Sequence, residues 1–331
     1  MKKTLLALAL ALSGASAMAQ QVTLKISHVT QADSPKNAGA LKFKELAEKY
    51  TSGSVRVEVY TNSSLFGDRE EMDALKNNKV QMLAPSLSKM NAFYKDPADN
   101  PWTVFDMPFL FSSLDDLITL EKSTVYDEMN ASLKGEAAFV FGIWDNGLTY
   151  LSTPQAINTY EDLAKLKVRV QPSEILKQSF KAIGAKPRVL AYNELYAGTF
   201  YGAVNSSANP PSNTVGSNLM PMQKYLYKTN NNYLGYVVLM NRAFWEGLTA
   251  QQREQLTKAM KETRGFQVEA ANLDNAFAVE NIQRKGLTRV VDLDPKILEK
   301  MKKNSVGVVT YLSPLQKTYY NKIRAVISKK P

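Results

Sequence analysis

The 331-residue chain has no cysteine and a single histidine, His28. These two scarcities remove more chemistry than any one motif adds. Without a thiol there is no cysteine nucleophile and no zinc-thiolate centre. With one imidazole, a Ser-His-Asp hydrolase would have to be built on His28, and a multi-histidine metal site is out of reach. Long apolar runs are also missing: beyond the N-terminus, nothing approaches the roughly eighteen apolar residues of a membrane span. No arginine-rich stripe, aromatic RNA motif, internal repeat or low-complexity tract occurs, so no nucleic-acid partner is expected. The sequence implies no cofactor.

What is present begins with an export signal. Lys2 and Lys3 form a basic n-region, Leu5 to Leu12 an apolar h-region, and Ala17-Met18-Ala19 a small-residue cleavage site. This reads as a secretory signal peptide over 1–19, with the mature chain starting at Gln20. The rest is long enough to bury two cores without disulfides, and its length suggests two domains. The formal charge of +10 would draw anions toward a cleft, or serve solubility alone.

Hydrophobic periodicity points to an α/β chain. Val22, Leu24, Ile26 and His28 share one parity, as in a half-buried strand, which leaves His28 either a core residue or a lining of a cleft. Ser34-Pro35 opens a helix whose Ala40, Phe43, Leu46, Ala47 and Tyr50 recur at helical spacing, and Val55, Val57 and Val59 form the next strand. Asp68 to Asn78 reads as a helix whose Asp68, Glu70 and Glu71 form a solvated face. Val80 to Ala84 reads as a buried strand, and Val104 to Phe111 as packed core around a turn. Ala138 to Trp144 is a strand closed by the turn signal Asp145-Asn146-Gly147, a crossing point between lobes. A second set follows: a strand at Leu166–Val170, a helix carrying Leu176, Phe180 and Ile183, a strand at Val189–Tyr192, and a short helix over Glu194–Tyr201. Tyr233 to Met240 is a strongly apolar strand, and Thr249 to Lys285 a long amphipathic helix in which Gly265 marks a bend.

Binding chemistry concentrates between Lys167 and Pro211. Arg169 lies in the β-type run Lys167-Val168-Arg169-Val170-Gln171, and the polar loop Asn205-Ser206-Ser207-Ala208-Asn209-Pro210-Pro211 follows. A guanidinium forks onto a carboxylate with two parallel donors, and an amide-rich loop can close on the same anion. Ser86 and Ser88 follow a strand's carboxyl end, where open α/β sheets place ligands; plain loop serines are the equal alternative.

In order along the chain come Ser27-His28-Val29, Thr51-Ser52-Gly53, and Asn62-Ser63-Ser64-Leu65-Phe66-Gly67-Asp68. Asn78 to Ser86, Phe105-Asp106-Met107-Pro108-Phe109-Leu110-Phe111 and Val168-Arg169-Val170-Gln171-Pro172-Ser173 follow. The series ends with Asn209-Pro210-Pro211-Ser212-Asn213 and Phe244-Trp245-Glu246-Gly247-Leu248. In this order and spacing the chain resembles the solute-binding proteins of TRAP (tripartite ATP-independent periplasmic) transporters, of the DctP, C4-dicarboxylate-binding type. The resemblance implies a two-lobed α/β periplasmic binding protein, type II-like and Venus-flytrap in form, with a long inter-lobe helix. It implies lobe I from about 20–146 and 233–270, and lobe II from about 147–232 and 271–331. It also implies a monomer that hands an organic-acid anion to small and large integral-membrane subunits and catalyses nothing.

By the same resemblance, Arg169 makes a two-point salt bridge with the ligand carboxylate and Asn209 donates to it. Lys36 is the candidate for a second pole, aided by Ser86 or Ser88 and by the anion preference of a helix N-terminus. Gln171, Ser173, Tyr192 and Tyr236 are secondary lining candidates. Thr149 stands where relatives often carry arginine or lysine. Asn205-Ser206-Ser207-Ala208 replaces a common Asp-Gly pair and glutamate, and Ser86 occupies a position where some sugar-acid binders have a carboxylate. The expected ligand is a C4-dicarboxylate such as succinate, malate or fumarate. The alternatives are a 2-oxo acid, sugar acid or longer dicarboxylate bound in the same way, and, more distantly, a periplasmic enzyme acting on an organic acid.

Overall fold

The computed structural model describes residues 21–328, so the expected signal peptide lies outside the described residues. Its strands are β1 (Val22–Ser27), β2 (Val55–Tyr60), β3 (Met82–Leu83), β4 (Ala138–Leu148), β5 (Tyr150–Thr153) and β6 (Lys167–Val170). They continue with β7 (Lys186–Val189), β8 (Ser206–Asn209), β9 (Tyr225–Lys228), β10 (Tyr233–Asn241) and β11 (Arg289–Asp292). One sheet has the order β2-β1-β3-β10-β4 and the other β11-β9-β5-β8-β6-β7. Each is the centre of a lobe, as the α/β reading requires.

The first lobe starts as a parallel unit. β1 pairs with β2 in register Val22↔Val55, and the helix Pro35–Tyr50 crosses between them. Ser34 caps that helix by accepting from the Asn37 backbone N–H, and Pro35 occupies its first turn. β10 enters antiparallel between β3 and β4, buried along its whole length. Its alternate side chains therefore feed two cores: Val237 and Leu239 pack with Trp102, Phe105 and Phe111 on one face. Leu234, Tyr236 and Val238 pack with Phe43, Trp144 and Met260 on the other. Trp102, Phe105 and Phe111 make the expected aromatic core of the 104–111 segment. Phe109 is the exception, half-buried at a left-handed φ of 55° with its N–H donating to the Asn231 carbonyl at 2.8 Å.

Several local expectations give way to tertiary pairing. Asp145-Asn146-Gly147 is the continuation of β4; a register shift opposite Leu234/Gly235 absorbs the extra residue, and Gly147 takes a φ of 104° that a side chain would resist. The crossing comes just after, between β4 and β5, and a second crossing joins β9 to β10. The two are tied together: Thr149 N–H donates to the Asn232 carbonyl at 2.9 Å and Asn232 Nδ2 to the Asp106 carbonyl at 3.0 Å.

The polar run expected as a loop before Asn209 is the strand β8, fully buried between β5 and β6. Its serines hid it, because Ser207 satisfies its hydroxyl on Ser152 at 3.0 Å instead of alternating with apolar residues. The strand expected at Val189–Tyr192 is β7, three residues earlier, and Tyr192 begins a single 3-10 turn. Residues after 271 do not all stay with the second lobe. The helix Pro314–Ile327 returns to the first, where Gln316 Nε2 donates to the Pro97 carbonyl at 2.8 Å and Ile323 joins the Trp102 core.

The long helix Ala250–Lys285 runs past both lobes without a break at Gly265. Thr249 and Gln252 form its capping box and Gly286 its left-handed stop, so its ends are fixed locally. Its grip on β4 is a buried amide. Gln267 Oε1 accepts from Asp145 N–H at 2.6 Å and its Nε2 donates to the Asp145 carbonyl at 2.7 Å. Gly39 allows the approach, since a Cβ there would fall 2.7 Å from Gln267 Cγ. Replacing Gln267 with Met leaves both backbone groups of Asp145 unpaired in a buried site, so Gln267→Met should cost about 2–4 kcal/mol. A urea unfolding midpoint checks this, and a variant as stable as the parent contradicts it.

Candidate functional site

β6 alternates between two environments. Val168 and Val170 turn into the second-lobe core with Phe180, which lifts Arg169 onto the opposite face of the sheet. Arg169 is nonetheless only 3 % exposed. Its Nε donates to the Leu190 carbonyl at 3.0 Å, which fixes the plane of the guanidinium and leaves its two terminal nitrogens for another partner. The Tyr192 ring flanks it, 5.9 Å from the guanidinium carbon to the ring centroid. Asn209 ends β8 and is buried, with neither its amide nitrogen nor its oxygen bonded among the described residues.

Lys36 approaches from the first lobe, in the first turn of Pro35–Tyr50, 2 % exposed. Its Nζ sits 3.6 Å from the centroid of the Tyr236 ring, a cation–π contact. Burial pulls the Lys36 pKa down to about 8, while the nearby Glu71 and Asp68 carboxylates hold it from falling further. Among the described residues, no carboxylate is in ion-pair contact with Lys36 or Arg169. Lys89, by contrast, is saturated: it pairs with Asp68 at 2.6 Å and also with Glu71.

Lys36 and Arg169 face a small cavity of about 30 Å³ between the lobes. Ser86 and Tyr236 line it on the Lys36 side, and Gln171, Tyr192 and Asn209 on the Arg169 side. Three sequence candidates are committed elsewhere. Ser88 donates to the Asp106 carboxylate at 2.8 Å, Ser173 caps the helix Glu174–Ala182, and Thr149 sits in the lobe crossing with its hydroxyl toward Asn231 at 3.4 Å. Ser88 and Ser173 instead bracket Asp106, whose carboxyl burial raises to about 6 against the pull of their hydroxyls. His28 takes the core alternative. It is buried between Asn37 and Thr30, and burial, with Lys36 adding to it, drives its pKa down to about 3, so it is neutral.

Sequence reasoning missed Asp68 and Asn213, which also line the cavity. Asn213 lies one turn beyond Asn209 on the helix Pro211–Gly216 and donates to the Tyr236 hydroxyl at 3.2 Å, joining the lobes. Asp68 stands with Glu70 and Glu71 on the expected solvated face, but its side chain is only 11 % exposed. Its Oδ2 accepts from the Tyr192 backbone N–H at 2.9 Å across the cleft. Burial would raise its pKa, but Lys89 outweighs that and holds the carboxyl below its ordinary value. Glu71, 1 % exposed, is likewise no surface residue. At the mouth, Arg69 and Glu194 form a two-point ion pair between the lobes at 2.8 Å. The lobes are therefore closed on the cavity.

A two-lobed α/β chain closed over a buried pair of cations is the form of a receptor for a small anion. Residues 26–312 match the family model described as bacterial extracellular solute-binding protein, family 7, the DctP family. The chain is 38 % identical over 287 residues to the C4-dicarboxylate-binding periplasmic protein DctP of Rhodobacter capsulatus, covering 87 % of this chain and 85 % of that one. A TRAP periplasmic solute-binding protein of Pseudomonas aeruginosa, solved with bound L-malate, is similar at 35 % identity and a TM-score of 0.81, covering 90 % of this chain and 100 % of that one. One from Shewanella oneidensis, with bound succinate, is 28 % identical with a TM-score of 0.87, covering 93 % and 99 %. The chain belongs to the DctP family of TRAP transporter solute-binding proteins, receptors that bind organic acids and work with membrane subunits. No helix among the described residues is long and apolar enough to cross a membrane.

The Lys36 environment is open to direct measurement. In the ligand-free protein its side-chain carbon next to Nζ should titrate near pH 8 by NMR. Asp68→Asn should lower that value, because the Asp68 carboxylate stabilises the charged amine. A titration at the ordinary lysine value of about 10.4 would contradict the burial described.

Proposed function

We propose that this chain is the periplasmic receptor that captures a C4-dicarboxylate, such as succinate, malate or fumarate, for uptake by a TRAP transporter. The observation that carries the reading is the presence of two buried cations, one on each lobe, facing one cavity without paired carboxylates of their own. A buried charge without a partner costs several kcal/mol, and a dianion supplies a partner to each. In this reading the Arg169 guanidinium takes one carboxylate by its two terminal nitrogens, with Asn209 Nδ2 donating to the same group. Lys36 takes the other, with the Ser86 hydroxyl beside it. Gln171, Tyr192 and Tyr236 wall the chain between them. Ser88, Ser173 and Thr149 support the architecture from outside the cavity.

The likeness to relatives named for C4-dicarboxylates, and to a structure holding L-malate, supports the same ligand class. Cleavage after Ala19 would release the mature chain into the periplasm. It acts as a monomer and delivers the acid to the small and large membrane subunits; its work is binding and release, with no bond made or broken.

Calorimetry with succinate, L-malate and fumarate against sugar acids and 2-oxo acids tests the ligand, and Arg169→Lys tests the clamp. One of the C4 acids should bind best. The variant, which keeps the charge and loses the fork, should weaken that binding by about 10- to 100-fold, one charge-assisted hydrogen bond's worth, while melting near the parent. Tighter binding of a sugar acid overturns the ligand assignment, and unchanged affinity in Arg169→Lys overturns the clamp.

A further inference from the structure

The second lobe carries an aromatic ledge that the ligand site does not use. Phe200 is 64 % exposed and Tyr201 82 %, with Tyr196 nearly half exposed. The three rings are in contact: Tyr196 and Phe200 stack with an interplanar angle of 10°, and Tyr201 meets Phe200 at 89°. Large aromatic side chains held in mutual contact in water are an interaction surface more often than an accident.

The sheet beneath adds charge of one sign. β6 and β7 pair in parallel with Lys167↔Lys186 and Arg169↔Arg188, so these four residues share a face. It is the face opposite Val168 and Val170, and the one the helix Leu195–Phe200 covers, since Lys167 Nζ donates to the Gly202 carbonyl at 2.8 Å. Arg169 is buried in the ligand site. Lys167, Lys186 and Arg188 are exposed and form a basic border to the ledge. The nearest carboxylate in sequence, Glu194, is already paired with Arg69 of the first lobe. Because Glu194 immediately precedes the ledge helix, the ledge is continuous with the contact that closes the cleft.

We propose that this ledge docks the closed receptor onto its membrane subunits, against a periplasmic surface that is apolar at its centre and acidic at its edge. Tyr, Phe and Arg are the residues enriched at protein interface cores, and rings fixed against each other lose little entropy on contact. The Arg69–Glu194 pair would make the surface sensitive to closure, so that a loaded receptor is preferred. The proposal rests on the chain being a TRAP receptor, and not on which acid it binds.

The test uses the mature protein with the membrane subunits in nanodiscs, measuring association by biolayer interferometry in saturating L-malate. Phe200→Ser/Tyr201→Ser should weaken association by about tenfold or more, as loss of interface anchors does, and Lys186→Glu/Arg188→Glu should do so in a salt-dependent way. Both variants should keep the parent's melting temperature and its affinity for L-malate in calorimetry. Parental association by both variants overturns the proposal. So does equal loss on empty nanodiscs, which would make the ledge a lipid contact, or a parental dimer that the aromatic variant dissociates, which would make it a contact between copies. Failure of the parent to bind any of succinate, L-malate and fumarate would instead fault the ligand assignment; the association arms are read without the acid in that case.

Discussion

The cost of burying Lys36 and Arg169 is the constraint around which the site is arranged. Each is withdrawn from water, and among the described residues each lacks a carboxylate in ion-pair contact. The nearest acids, Asp68 and Glu71, are engaged by Lys89, so they temper the cavity's potential without neutralising it. In the proposed reading, a small dianion would complete a set of charges that neither lobe balances alone. In the low-dielectric cleft that completion is stronger than the same contacts would be in water. In that reading closure and capture would go together, because the meeting lobes exclude water from the site.

The rest of the molecule serves that meeting. β4, β10 and the Gln267 clamp make the first lobe rigid up to the crossings. The crossings themselves are short and tied by Thr149, Asn231 and Asn232 with the 106–109 segment. Opposite the crossings, Asp68 with Tyr192 and Arg69 with Glu194 join the edges of the cleft. The exposed Arg69–Glu194 pair is screened by solvent and adds little, so closure leans on the buried contacts inside.

What could be read from residues alone followed physical locality. Val22 to Ser27, the capped helix at Ser34-Pro35 and the helix from Thr249 declare themselves by parity, capping and period, and they fold accordingly. Arg169, in an apolar β run ahead of an amide-rich segment, suggested an anion site, and the structure places it with Asn209, Lys36 and Ser86 on one cavity. β8 escaped because its serines pair across a buried sheet, where no alternation is needed. Asp68 escaped for a different reason: its burial depends on Lys89 and Tyr192, 21 and 124 residues away. Ser88, Ser173 and Thr149 were reasonable hydroxyls in reasonable places, but Asp106, a helix terminus and the crossing claimed them first.

The most direct measurement is a crystal structure of the mature chain with a bound C4-dicarboxylate. The account predicts one ligand carboxylate on both terminal nitrogens of Arg169 and on Asn209 Nδ2, with the other within hydrogen-bond distance of Lys36 Nζ. A ligand carboxylate held away from Arg169, or a complex in which Lys36 keeps only the Tyr236 ring for company, would contradict it.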